Sequence, residues 1–199
     1  MTPDQVGKLL NVSRETIDKF QLYLTLLEKW QRRINLVSNS TLANAWQRHI
    51  LDSGQLAGYY PPQTRKILDV GSGAGFPGLV LAIMGGVMVD LVESDQRKAV
   101  FLSTVIRELR LPAKVHNQRI ETMPNLRPDV ITARALAPVP KLLNLIETQM
   151  SAECVYLFLK GSSVEDELTN LQSYSTMVAT THPSLSGPTG VVLELKNPL

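Results

Sequence analysis

The sequence predicts an α/β fold in which a doubly wound, mostly parallel sheet follows an N-terminal helical segment. From Lys66 onward, short apolar runs of strand length alternate with helical segments, as in repeated βα units. The first of these strands ends in closely spaced glycines, Gly71, Gly73 and Gly75, and a run of aliphatic residues follows them. Units of this kind are joined by right-handed crossovers and bind ligands at the carboxyl ends of their strands.

Composition sets limits on the class of protein. With 199 residues, 44% of them hydrophobic and 19% charged, the chain is long enough for one globular domain with at most a small appendage. No stretch approaches the roughly 20 apolar residues of a membrane span, and the first residues contain no apolar signal core, so we expect a cytoplasmic protein without membrane contact. The only cysteine, Cys154, excludes an intramolecular disulfide and a Cys-rich metal site. We expect no metal.

Residues 1–62 form the helical segment, which we expect to pack on the sheet rather than to fold separately. A helix capped by Asn11 or Ser13 should run for about 20 residues, because its apolar positions recur at helical spacing. These positions are Ile17, Phe20, Leu24, Leu27 and Ile34. A second helix should pass through residues 46–51, with a short third one after Asp52 or Ser53, before the Tyr-Tyr-Pro-Pro sequence ends the segment.

Residues 63–199 should contain the sheet. The apolar runs predict strands at Lys66–Val70, 87–92, 113–117, 129–132, 154–159, 175–181 and Val191–Lys196. Helices are predicted at 77–84, 95–109, 139–150 and 165–171. The last two strands follow one another without an intervening helix, so one of them should run antiparallel to the rest.

The glycine loop is compatible with two classes of cofactor. Residues 73–78 satisfy the dinucleotide pattern G-x-G-x-x-G, which alone is a weak signal. Asp69 precedes the glycines and gives D-x-G-x-G-x-G, in which the acid could accept hydrogen bonds from a ligand amine or an ordered water. Glu93 ends the second strand, where it could accept both hydroxyls of a ribose in either class. Asp69 favours S-adenosylmethionine (SAM) over a nicotinamide dinucleotide, and an NAD-dependent oxidoreductase remains the alternative.

Seven segments in order along nearly the whole chain resemble the bacterial RsmG family, also called glucose-inhibited division protein B. They are WQRRINL (30–36), RHILDS (48–53), DVGSGAGFPG (69–78), KAVFL (98–102), RIE (119–121), DVITARA (129–135) and LKG (159–161). RHILDS is the most specific of them, because methyltransferases in general lack it. Within RHILDS, His49 could orient Asp52, contact RNA or pack between helix and sheet.

The resemblance implies a Rossmann-like SAM methyltransferase that modifies N7 of a guanosine in small-subunit (16S) ribosomal RNA. It also implies SAM contacts by Gly71, Phe76, Glu93, Ile120, Glu121 and Arg134. With the glycine loop, the candidate cofactor-binding residues become Asp69, Gly71, Gly73, Gly75, Phe76, Glu93, Ile120, Glu121 and Arg134. The chain departs from the family at Phe76, where leucine is common, and at residues 187–190, where a basic residue is common.

The residues are compatible with transfer to guanine N7, which has an in-plane lone pair and no proton to lose. Methylation of an exocyclic amine usually uses an (Asn/Asp)-Pro-Pro-aromatic loop after the fourth strand, and residues 132–138 contain none. Methylation at pyrimidine C5 needs a nucleophilic cysteine beside the substrate, whereas Cys154 begins a strand at the opposite end of the sheet. A ring nitrogen with an available lone pair is therefore favoured.

Arg134 and Lys160 are the candidate catalytic residues, because each follows a strand at the ligand edge, where it could hold the base, a phosphate or the cofactor carboxylate. Between residues 97 and 119, six basic residues face one acid, Glu108, which indicates either a polyanion-binding surface or an ordinary solvated helix face. The expected partner is 16S ribosomal RNA or the small ribosomal subunit, bound by a monomer. A non-catalytic SAM- or RNA-binding module on the same fold is a further alternative.

Overall fold

The computed structural model describes residues 1–171 and 177–197, and the helices and strands below are those of these residues. The strands are β1 (Lys66–Val70), β2 (Met88–Val92), β3 (Ala113–His116), β4 (Val130–Arg134), β5 (Val155–Lys160), β6 (Val178–Pro183) and β7 (Val191–Lys196). The α-helices are α1 (Pro3–Leu10), α2 (Arg14–Gln31), α3 (Asn39–Leu42), α4 (Asp52–Gly54), α5 (Gly78–Met84), α6 (Gln96–Leu109), α7 (Val139–Ile146) and α8 (Val164–Leu171). A π-helical turn, Trp46–Leu51, joins α3 to α4.

The strands form one seven-stranded sheet in the order β3-β2-β1-β4-β5-β7-β6. Strands β1 to β5 are parallel, whereas β7 runs antiparallel to both β5 and β6. The predicted fold class is thereby confirmed. The chain order reverses between β1 and β4, and this switch point is where doubly wound sheets bind their ligands. In the register, Val70 lies beside Val92 on one side and Ala133 on the other, so β1, β2 and β4 end together.

The sheet buries a different apolar cluster on each face. On one face the side chains of α2, α5 and α6 pack against β1 and β2, with Phe20, Tyr23 and Phe101 fully buried. On the other face α7 covers β4 and β5, where Tyr156 and Phe158 are fully buried. The short apolar runs of the sequence are thus buried on both faces, as is usual for parallel strands.

The helical segment packs on the first of these faces through aromatic contacts. The Tyr23 ring lies 5.2 Å from that of Phe76 in the glycine loop, and the Trp30 ring lies 5.7 Å from that of Phe101 in α6. The Tyr23 hydroxyl donates to the carbonyl of Ala74, which ties α2 to the loop. The segment therefore shares its core with the sheet.

Several boundaries differ from the sequence prediction. Helix α1 was not predicted, although Thr2 and Gln5 form a complete capping box and Pro3 occupies the first turn. Helix α5 begins at Gly78 with Pro77 as its N-cap, and α7 ends four residues earlier than predicted, in a 3₁₀ turn at Glu147–Gln149. Residues 175 and 176 of the predicted strand 175–181 lie outside the described residues, and β6 continues two residues further than predicted.

Strand β4 also extends beyond its predicted end and includes Arg134, because Arg134 pairs with Leu159 of β5. Ala135 then adopts a left-handed conformation with φ of 52°, which ends the strand. Among the described residues, no helix is both long enough and apolar enough to cross a membrane.

We propose that residues 1–62 and the sheet unfold as one cooperative unit, because they share one core. Both tryptophans, Trp30 and Trp46, lie in the helical segment, so tryptophan fluorescence reports this segment while far-UV circular dichroism reports the whole chain. The two denaturation curves should coincide. Phe20→Ala should shift both by the same amount, with a loss of about 3–5 kcal/mol in the free energy of unfolding. An earlier fluorescence transition would contradict the proposal.

Candidate active site

A cavity of about 380 Å³ opens where β1, β2 and β4 end, a volume in the usual range for ligand sites. Seven of the predicted site residues line it: Gly71, Gly73, Phe76, Glu93, Ile120, Glu121 and Arg134. Apolar walls come from Val70, Val92 and Leu136, and Lys98 and Arg119 add positive charge. Asp69, Gly75 and Lys160 do not line this cavity. We call it the loop cavity.

The glycines of the loop serve different purposes. Gly73 has a φ of 56°, and a Cβ added there would point into open space, with only the Gly71 carbonyl oxygen at 3.8 Å. A Cβ at Gly71 would lie 2.7 Å from a side-chain carbon of Leu136. Gly73 therefore keeps the floor of the cavity clear, whereas Gly71 lets Leu136 fold over the loop.

Glu93 is oriented by the backbone around it. Its Oε2 accepts a hydrogen bond from the Gly73 amide at 2.8 Å, and its Oε1 accepts one from the Asp95 amide at 2.7 Å. Each carboxylate oxygen has a second lone pair, so the side chain can still accept two more hydrogen bonds. This arrangement suits the two adjacent hydroxyls of a ribose, and the apolar walls suit an adenine ring. The loop cavity therefore fits an adenosyl cofactor.

The structure corrects the expected role of Asp69. Its side chain is only 1% exposed, and its Oδ1 accepts a hydrogen bond from the Thr132 hydroxyl at 2.9 Å. Burial raises the pKa of Asp69 to about 6, and the Gly78 amide is among the groups that oppose this rise. Oδ2 has no partner in good hydrogen-bond geometry among the described residues. Asp69 therefore supports the loop from behind and does not line the cavity.

Gly75 also lies outside the cavity. A Cβ there would approach Leu79 to 2.4 Å and the Tyr23 hydroxyl to 2.9 Å, so its missing side chain makes room for the core rather than for a ligand. Of the three loop glycines predicted to bind the cofactor, Gly71 and Gly73 line the cavity and Gly75 does not. Sequence spacing alone does not show which side of a loop each residue faces.

Arg134 is held in place by the π-helical turn. Its Nη1 donates to the carbonyl oxygen of Arg48 at 3.1 Å and to Nδ1 of His49 at 3.0 Å, and it lies 3.7 Å from Oδ2 of Asp52. The guanidinium carbon sits 4.8 Å from the centre of the Phe76 ring, within the range of a cation–π contact. Burial lowers the pKa of Arg134 and Asp52 opposes this effect. Residues of RHILDS thus provide three of the contacts that fix Arg134.

His49 is neutral and has a defined tautomer. Because its Nδ1 accepts from Arg134, its Nε2 carries the proton and donates to the Thr41 hydroxyl at 3.0 Å. The ring stacks on Phe76 at 4.6 Å. Burial lowers the pKa of His49 to about 3, with the charges of Arg134 and Arg48 adding to the effect. The histidine therefore packs between helix and sheet and also orients Arg134, a role that its spacing from position 134 could not indicate.

Another cavity, of about 410 Å³, shares Arg134 and Ala135 with the loop cavity, and we call it the second cavity. Its wall includes Lys160, whose Nζ donates to the Ala137 carbonyl at 3.0 Å and pairs with Oε2 of Glu167 at 2.7 Å. Lys160 thus faces the second cavity, and Arg134 stands between the two cavities.

The described residues contain no cluster of three or more His, Cys, Asp or Glu suited to a metal ion.

Gly73→Val should abolish SAM binding and leave the fold largely intact, because the branched side chain would fill the floor of the loop cavity. Gly86→Val is the matched control, since Gly86 also has a positive φ, of 81°, with open space around it, and it does not line the loop cavity. Both variants bear the same kind of backbone strain. Isothermal titration calorimetry with SAM separates them, and unchanged affinity in Gly73→Val would refute the assignment of the loop.

His49 should make the protein less stable in acid. Its pKa is about 3 in the folded state and near 6.5 when unfolded, so between these values the unfolded chain binds more protons. Stability is therefore lost as the pH falls from about 6.5 toward 3. Between pH 7 and pH 5, His49→Gln should lose about 2 kcal/mol less than the wild type in urea denaturation. Equal losses would mean that His49 is not held neutral.

Comparison with known proteins bears out the resemblance. The model of the GidB family, described as rRNA small subunit methyltransferase G, matches residues 16–189. A ribosomal RNA small subunit methyltransferase G from Rhodospirillum rubrum is 48% identical over 195 residues, which cover 98% of this chain and 97% of that protein. One from Paramagnetospirillum magneticum is 47% identical over 196 residues, covering 98% and 96%.

Solved structures agree in fold. A SAM-dependent methyltransferase from Aquifex aeolicus superimposes with a TM-score of 0.60 over 98% of each chain, at 14% sequence identity. At that identity the likeness concerns the fold alone, and it is the Rossmann-like methyltransferase sheet. The family model and the near-full-length relatives go further, because the model matches residues 16–189 and the relatives are 47–48% identical over 98% of this chain. The chain belongs to the GidB family, the rRNA small subunit methyltransferase G proteins.

Proposed function

We propose that this protein transfers a methyl group from SAM to N7 of a guanosine in 16S ribosomal RNA. Membership of the rRNA small subunit methyltransferase G family supports this function over an NAD-dependent oxidoreductase and over a non-catalytic binding module. The single most informative observation is that two cavities meet at Arg134. One has the groups that suit an adenosyl cofactor, and the other can admit a base.

The cofactor would occupy the loop cavity, with its ribose at Glu93 and its adenine beside Ile120 and Glu121. Gly71 and Gly73 lie against it, and Phe76 and Arg134 line the end nearest the second cavity. SAM supplies a methyl group that is already activated on a sulfonium. The task left to the protein is to align a nucleophile with that methyl group and to exclude water.

The acceptor would enter the second cavity, where it meets Arg134 and Lys160. Neither is suited to remove a proton, because Arg134 stays charged and Lys160 is paired with Glu167. His49 has both ring nitrogens in hydrogen bonds and cannot act as a general base either. Guanine N7 needs no base, since its lone pair is free. Arg134 and Lys160 would therefore hold the nucleotide in position rather than transfer protons.

Basic residues near the site would contact the RNA backbone. Lys98 and Arg119 line the loop cavity, and Lys29, Arg33 and Arg107 line a groove between α2 and α6. Arg97 and Arg107 keep about three quarters of their side chains exposed, at 75% and 73%, and pair with Asp95 and Glu108. Exposed pairs of this kind are weak, so RNA phosphates could replace the carboxylates as partners of the two arginines.

We propose that the protein acts as a monomer in the cytoplasm.

Nucleoside mass spectrometry of small-subunit RNA tests the function. RNA from cells that lack this protein should have lost one 7-methylguanosine, and the wild-type gene should restore it. Complementation with Gly73→Val should fail and complementation with Gly86→Val should succeed, because only the first variant blocks the loop cavity. An unchanged amount of 7-methylguanosine in the deletion strain would rule out the proposed function.

A further inference from the structure

We propose that Glu167 selects guanine by accepting hydrogen bonds from its Watson–Crick edge, namely from N1–H and the exocyclic N2 amine. The proposal rests on the proposed function and assigns a specificity-determining residue in the second cavity. It follows from how the Glu167 carboxylate is fixed, which of its oxygens remains available, and which edge of a purine methylated at N7 faces that cavity.

The carboxylate of Glu167 is anchored through one oxygen. Oε2 accepts from the Val139 amide at 2.7 Å and from the Lys160 ammonium at 2.7 Å. The side chain lines the second cavity and is 17% exposed. Two short bonds to one oxygen hold the plane of the carboxylate, so the direction of the other oxygen is set before a ligand arrives.

The other oxygen remains available to a ligand. Among the described residues, the only hydrogen bond to Oε1 is a long one, at 3.4 Å, from the Ser163 hydroxyl. The second carboxylate of this cavity, Asp52, is engaged through both of its oxygens. Its Oδ1 accepts from Ser184, Ser186 and Gln55 at 3.2, 2.6 and 3.2 Å, and its Oδ2 faces Arg134. Glu167 is therefore the acidic group best able to receive donors from a base.

Guanine presents suitable donors when its N7 points at the loop cavity. The purine N7 lies on the Hoogsteen edge, which is distinct from the Watson–Crick edge with N1 and N2, so the Watson–Crick edge stays free to face the second cavity while N7 faces the methyl group. That edge of guanine has two adjacent donors, and a carboxylate has only acceptors. Adenine has an acceptor at N1, so Oε1 of Glu167 would face the N1 lone pair instead of a donor. A buried acceptor without a donor is costly, which makes such a contact discriminating.

The same contact would favour methyl transfer. As N7 takes up the methyl group, the purine ring becomes positively charged, and its N1–H and N2–H groups become stronger donors. Hydrogen bonds from these groups to Glu167 then strengthen toward the transition state, which is the kind of interaction that accelerates a reaction. Lys160 balances the charge of the carboxylate before the purine becomes cationic.

Glu167→Gln tests the assignment with an almost isosteric change. The amide oxygen should keep the contacts with Val139 and Lys160, because both are donors, so the NH₂ group takes the place of Oε1. A donor then faces the donors of guanine. We expect kcat/KM on small-subunit RNA to fall by about 10- to 100-fold, with SAM affinity and Tm close to those of the wild type.

An inosine substrate distinguishes recognition from a structural effect. The methylated position is first mapped in the wild-type product, and RNA with inosine at that position is then compared with guanosine RNA. Inosine lacks the N2 amine but keeps N7. The wild type should prefer guanosine by about tenfold, and Glu167→Gln should lose this preference. Glu165→Gln is the control and should keep the preference, because Glu165 is an exposed carboxylate on the same helix that does not line the second cavity.

Each result has one meaning. If the wild type makes no 7-methylguanosine, the proposed function fails and the role of Glu167 with it. If the wild type makes 7-methylguanosine but prefers guanosine over inosine no more than Glu167→Gln does, the proposed function stands and the role of Glu167 is overturned. Loss of the preference in Glu165→Gln as well would also overturn it, because the preference would then not depend on the carboxylate in the second cavity.

Discussion

The contacts that fix the guanidinium of Arg134 are the interactions on which this site depends. A guanidinium that is largely removed from water is costly unless its charge and its hydrogens are matched. Here the match comes from a backbone carbonyl, a neutral histidine, a carboxylate and an aromatic ring, contributed by Arg48, His49, Asp52 and Phe76. These contacts give Arg134 one orientation, and that orientation makes it the wall between two cavities.

These contacts also explain how the helical segment contributes to the candidate active site. Only Phe76 of the four partners comes from the sheet region, and the π-helical turn with the first residue of α4 presents a carbonyl and two side chains to the same guanidinium. Helix α4, which follows the turn directly, is tied to a distant part of the chain, because Asp52 accepts from Ser184 and Ser186 in the loop between β6 and β7. Segments distant in sequence thus meet at one arginine.

The chemistry of the acceptor is consistent with a site in which Arg134 and Lys160 are paired with carboxylates. Arg134, Lys160 and His49 are each engaged by a specific partner, so the site is built to position its ligands rather than to move protons. This suits a nucleophile with its own lone pair and a donor with an activated methyl group. The glycines of the loop also differ in role: the absence of a side chain leaves the cavity open at Gly73 and makes room for core side chains at Gly75.

The sequence by itself determined the fold class, the family and most of the residues around the loop cavity, because apolar periodicity and short motifs are local properties. Glu93 could be assigned from the sequence since the end of a parallel strand has a known place in the sheet. Which way a side chain faces depends on the partners around it, and these come from distant segments. The burial of Asp69 and Gly75, the contact of His49 with Arg134 and the anchoring of Glu167 by Val139 and Lys160 were therefore decided only by the tertiary structure.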